Sequence, residues 1–131
     1  MPTLEPISAN LTAFLHGETD GRTFRHADHV GIAYELLTRH DFPEAAWRCA
    51  SALKTIAARS GAPGAYHETI TLAFLALIGE RRAARSYPDF AGFIAANPDL
   101  LDKSALRRWY SSERLGSATA RATFVLPDAR P

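Results

Sequence analysis

Four polar side chains set the chemical possibilities of this sequence: His26 and His29 in FRHADHV, and His67 with Glu68 in AYHETIT. Three of the five histidines and one carboxylate thus open two segments that are otherwise apolar and helical in pattern. Histidines three apart on a helix leave from the same face and can share one ligand or one proton. His67 and Glu68 are adjacent, so on a helix they point roughly 100° apart and meet only at a site between their directions. Side-by-side packing of the two helices would bring all four groups to one point. Convergent imidazoles and a carboxylate suit a metal ion or proton transfer.

Three readings follow from this set. In the first, His26, His29, His67 and Glu68 ligate a divalent transition metal. Neutral imidazole and carboxylate favour Zn, Fe, Mn or Ni over Mg or Ca. The stronger metal signatures are incomplete, however. HETIT begins like H-E-x-x-H but has Thr71 in the fifth place, and no Glu-x-x-His pair recurs on two helices. In the second reading, His67 is a general acid or base oriented by Glu68, with Tyr66 and Tyr34 as hydroxyl donors and Arg25 holding an acidic group on a small organic ligand. In the third, the cluster is structural: His26 and His29 cap or staple their helix, and Glu68 complements a helix dipole or pairs with Arg25 or Arg121. The function expected is a small enzyme or ligand-binding protein with a pocket lined by His and Glu. A helical interaction module without chemistry is the alternative.

The elements that must position these groups are helical almost throughout. A first short helix is expected over Ile7 to His16, with Leu11, Phe14 and Leu15 inward, followed by the turn-rich GETDGRT. A second runs from about His26 to Arg39 with Val30, Ala33, Tyr34 and Leu37 at i, i+3, i+4 and i+7. Asp41 is a plausible cap for a third, Pro43 to about Arg59, whose stripe is Ala46, Cys49, Ala50, Leu53 and Ile56. SGAPGA cannot continue a helix. A fourth, from near Tyr66 to about Arg85, is apolar on every side across ITLAFLALI and reads as the central helix, although Thr, Ile and Phe also favour strands. A fifth follows SYPDF to about Ala96. One or two short turns come next, and Ser117 caps a last short helix before the proline-rich VLPDARP. The sum is an all-α single domain, residues 1–131, of about six helices around one apolar helix.

Composition narrows the function classes. Of the 131 residues, 47% are hydrophobic and 22% charged, which is ordinary for a globular chain. The formal net charge of +1 provides no field to recruit nucleic acid or an anionic membrane. The single Cys49 cannot form an internal disulfide, and MPTLEPISANL lacks the pattern of a signal peptide, so a cytoplasmic, bacterial-type protein is expected. The longest mainly apolar stretch, Ile70 to Gly79, is about half what a bilayer requires. Secondary candidates read as structural. His16, Glu18 and Asp20 form a solvated turn or a lid, and His40 is a surface group. Cys49 fills the core. Arg81, Arg82 and Arg85 form a solvated helix end. Trp109, beside Arg107 and Arg108, is a core anchor or a contact in a homodimer rather than a base-stacking group.

The segments FRHADHV with IAYELL, GAPGAYHETIT, DLL with RRWYSSERL, and ARATFVLPD together resemble a family of small bacterial all-helical proteins of uncharacterised function. The likeness spans Phe24 to Asp128. It implies no activity, but it adds Tyr110, Ser117, Arg121 and Pro127 to the residues of interest. Tyr110 and Arg121, with Arg25, are the expected contacts to a cofactor or anionic ligand.

Overall fold

The computed structural model of the chain describes residues 9–129. The fold is all-α, with seven α-helices and three short 3-10 turns among the described residues. Helix α1 covers Ala9–Leu15 and buries Leu11 and Phe14. Ile7 and the end of the tail, Arg130 and Pro131, lie outside the described residues. Helix α2 is His26–Arg39, as its periodicity predicts, although Tyr34 is only half-buried while Ile32 and Leu36 join Val30, Ala33 and Leu37 inside. Helix α3 is Phe42–Arg59; Asp41 caps it by accepting the Glu44 N–H at 3.1 Å. Its buried stripe is Ala45, Cys49, Ala52 and Ile56, rotated slightly from the expected one.

Two glycines end helices in the same way. Gly17 (φ 67°) follows α1, its N–H bonded to the Phe14 carbonyl and the next N–H, Glu18, to Ala13. Gly61 (φ 75°) follows α3, with its N–H on Ala58 and that of Ala62 on Ala57. These paired bonds require a left-handed residue that glycine adopts without penalty. They turn the chain into two segments, 17–25 and 60–67, that lie at one end of the bundle. A 3-10 turn at Pro63–Ala65 occupies the second.

Helix α4, Glu68–Ala84, packs on α2, α3 and the last helix, and so is central. It buries Ala73, Phe74, Leu75, Leu77 and Ile78. Helix α5, Phe90–Ala96, is capped by Asp89 and buries Phe93 completely. Two 3-10 turns, Pro98–Leu101 and Lys103–Arg108, lead to α6 (Ser112–Leu115) and α7 (Ala118–Ala122), each opened by a capping serine, Ser111 and Ser117. The segment after α7 is irregular yet well held. The Val125 N–H donates to Thr69 Oγ1, the Tyr110 hydroxyl donates to the Val125 carbonyl, and Ser111 donates twice to Asp128. No helix among the described residues is long and apolar enough to cross a membrane.

Candidate functional site

Helices α2, α3 and α4 leave a cavity of about 360 Å³ between them. Its deep side is apolar: Val30, Ala33, Cys49, Leu75 and Ile78 are all buried. Phe24, Phe74 and Tyr66 form aromatic walls, and Leu53, Ile56 and Ile70 complete the lining. The exposed Ser60, Ala62 and Ala65 mark the side open to solvent. Both glycine-led segments are pinned at this rim. Arg59 donates to the Gly17 carbonyl at 3.0 Å, and Arg121 donates to the Gly64 carbonyl at 2.8 Å.

All three histidines of the sequence motif reach this cavity, but in different chemical states. His67 is not on α4; it is the residue before it, in extended backbone, and caps the helix with its ring. Nδ1 accepts the Ile70 N–H at 3.1 Å, and Nε2 lies 2.6 Å from the Leu115 carbonyl. An amide can only donate and a carbonyl can only accept. The ring is therefore the neutral tautomer protonated at Nε2, with both nitrogens occupied. Such an imidazole has no lone pair left for a metal and none for a substrate proton. The expected catalytic and ligating roles of His67 give way to a structural one.

His26 is intermediate. Its Nε2 lies 2.9 Å from the Leu100 carbonyl and so must carry the proton, while its ring meets Phe74 edge-on at 4.8 Å. Nδ1 has no hydrogen-bond partner among the described residues. His29 has no partner for either nitrogen among the described residues; its ring stacks on Phe24 at 4.3 Å. Burial pushes its pKa down to about 4; His26 and Lys103 add to the shift, and Asp28 opposes it. His29 is thus a neutral imidazole at physiological pH.

Of the remaining expected site residues, only Tyr66 borders the cavity. Glu68 opens α4, where a carboxylate suits the dipole, and accepts the Tyr66 hydroxyl at 2.5 Å. Tyr66 lines the cavity, but its proton is committed to Glu68, and burial together with that carboxylate raises its pKa well above the phenol range. Arg25 is exposed at the head of α2, where its backbone N–H donates to Asp28 Oδ2 at 2.9 Å. Tyr110 is buried, and its hydroxyl serves the Val125 carbonyl. Arg121 holds the rim rather than a cofactor. Tyr34 packs between Phe90 and Phe93, away from the cavity. The expected four-ligand metal centre is not assembled, because His67 is saturated and Glu68 turns to Tyr66. Among the described residues, no group of three or more His, Cys, Asp or Glu is placed to hold an ion.

The chain matches no family model, no curated protein and no solved structure. Its site must therefore be read from its own chemistry. Burial raises the Cys49 thiol to about 12, so it sits in the deep wall as a protonated, weakly polar group. Burial of a thiol favours the uncharged form, and no cationic group among the described residues offsets it.

Several polar residues went unnoticed in the sequence. Thr69 is fully buried; its Oγ1 donates to the Thr123 carbonyl at 2.7 Å and accepts the Val125 N–H at 3.1 Å. A threonine four before Ala73 on an all-round apolar helix carries that signal, since it must share the buried face. Arg81, expected in solvent, instead grips Asp99 with both terminal nitrogens at 3.0 and 2.9 Å and donates to Asn97 at 3.0 Å. Buried Asn97 donates in turn to the Phe93 carbonyl. Trp109 is half-buried against the core, with the Arg108 guanidinium over its ring.

Proposed function

We propose that the chain binds a small, largely apolar organic molecule in the cavity between α2, α3 and α4, with His26 and His29 as its polar contacts. One observation carries this reading: two imidazoles with unmatched nitrogens border a mostly apolar cavity whose other deep polar groups, on Tyr66, His67 and Thr71, are already bonded within the protein, with Ser60 at the open rim. Buried polar groups are as a rule satisfied within the protein, and His67, Thr69 and Asn97 follow that rule. His26 and His29 are only half-buried, border the space available to a guest, and keep nitrogens that no described residue bonds. A mostly apolar cavity with a few convergent polar groups is the usual form of a small-molecule site.

Acid–base chemistry through His67, Glu68 and Tyr66 is not part of the proposal, since each is committed to a partner. The unpaired nitrogens of His26 and His29 are the groups able to accept a hydrogen bond from a bound molecule. A metal-dependent reading has only the unpaired nitrogens of His26 and His29 to draw on among the described residues.

The test is a thermal-melt and NMR titration of the purified protein with neutral one- and two-ring compounds. A ligand specific for the native state raises the melting temperature. Shifts confined to His26, His29, Ile70 and Phe74, lost in the double variant His26→Leu/His29→Phe, support binding. A stoichiometric transition metal in the purified protein, lost in His29→Ala, would overturn the proposal in favour of a metal centre. Failure of every compound to perturb the cavity residues would leave the interaction module as the better account.

A further inference from the structure

We infer that the molecule held in this cavity is an aromatic with a hydrogen-bond donor on its ring, phenol-like or indole-like, and uncharged. The inference rests on the cavity reading above and narrows it to a chemical class.

The donor requirement comes from His26. Its Nε2–H is spent on the Leu100 carbonyl at 2.9 Å, and the uncharged form of the ring then has only the Nδ1 lone pair to offer. A ligand that matches it must bring an O–H or N–H. Ketones, ethers and esters of the same shape would bring a second acceptor and leave Nδ1 unpaired. His29, with no protein partner among the described residues, supplies either a donor or an acceptor and so does not discriminate.

The aromatic requirement comes from the walls. Phe24 and Phe74 each already hold an imidazole, His29 stacked at 4.3 Å and His26 edge-on at 4.8 Å. Flat faces and ring edges favour a planar guest in offset or edge-to-face contact. The size agrees: a cavity of about 150 Å³ accepts benzene, and this one measures about 360 Å³. That is space for one or two fused rings.

The neutrality requirement comes from what is missing in the lining. Among the described residues, no arginine, lysine, aspartate or glutamate borders the cavity, and a buried charge without a partner is costly. Lys103 and Asp28 lie near enough to influence His29, but they act in opposite directions and do not line the space.

The experiment measures binding by calorimetry to the full chain, using matched pairs: indole against 1-methylindole and benzothiophene, and phenol against anisole. Indole and phenol should bind about tenfold tighter than their donor-free partners, the worth of one well-made hydrogen bond. In His26→Leu that ratio should fall to near one while the donor-free compounds still bind. If that variant does not fold, the ¹⁵N shift of His26 Nδ1 in the unaltered protein is the second readout; it should move with indole and stay with 1-methylindole. Equal affinity within each pair would overturn the donor requirement while leaving the cavity reading intact. No binding by any of the five compounds would overturn both.

Discussion

His67 and His29 lie on the same cavity, yet they have opposite roles. His67 has both ring nitrogens bonded to backbone and secures the start of α4. His29 has neither bonded among the described residues and is held by ring stacking alone. The residue type is the same, so it does not separate structure from function. The count of satisfied lone pairs does. A histidine whose valences are filled by the protein has nothing left for a ligand, whereas an unmatched one beside a cavity is available to bond a guest.

The largest test of this contrast is His67→Ala. It removes a helix cap, orphans the Leu115 carbonyl and opens space, and should lower stability by about 4 kcal/mol in urea denaturation. His29→Phe keeps a ring on Phe24 and should change stability at pH 7 by less than about 1 kcal/mol. A comparable loss for both would erase the distinction.

Acid titration should sharpen it. The folded-state pKa of His29 is lowered from 6.5 to about 4, so the unfolded chain takes up this proton first as pH falls. The contribution is complete above pH 6.5 and is lost progressively as pH falls toward 4, to a total of about 3 kcal/mol. Stability against pH should flatten in that window in His29→Phe. An unchanged profile would mean that the ring is more hydrated than its packing indicates.

Smaller effects follow. Thr69→Val keeps the volume but strands the Thr123 carbonyl and the Val125 N–H, at about 2 kcal/mol by thermal melt. It should also loosen the C-terminal segment in hydrogen exchange, an effect His29→Phe should lack. Arg25→Ala should cost less than about 0.5 kcal/mol and leave ligand binding unaltered, since that side chain lies outside the cavity. A strong loss of binding would restore Arg25 as a contact.

Much of the fold was legible because its punctuation is strong. Asp41 with Pro43, and the glycines after α1 and α3, fix helix ends by backbone chemistry that composition alone reveals. The stripe of α3 was displaced because alanines at 45, 46, 50 and 52 give periodicity little contrast. At the site, the convergence of His26, His29 and His67 on one space could be anticipated, but their states could not. His67 differs from the usual Ser, Thr, Asp or Asn cap, so it read as the first turn of a helix rather than its cap. Its second partner, the Leu115 carbonyl, is a backbone atom with no side-chain signature. Phe24 and Phe74 read simply as core residues. A cavity arises where side chains fail to meet, and no spacing rule announces that.

The opening of α4 also constrains how the molecule is assembled. Its first turn is completed by groups 48 and 56 residues further on, the Leu115 carbonyl and the Val125 amide. A ribosome delivers the chain from its beginning, so the histidine-lined half of the bundle must wait, partly unclosed, for a stretch translated much later. Nascent chains stalled before Val125 should therefore be protease-sensitive around residue 67, even though α2 and α3 have already emerged.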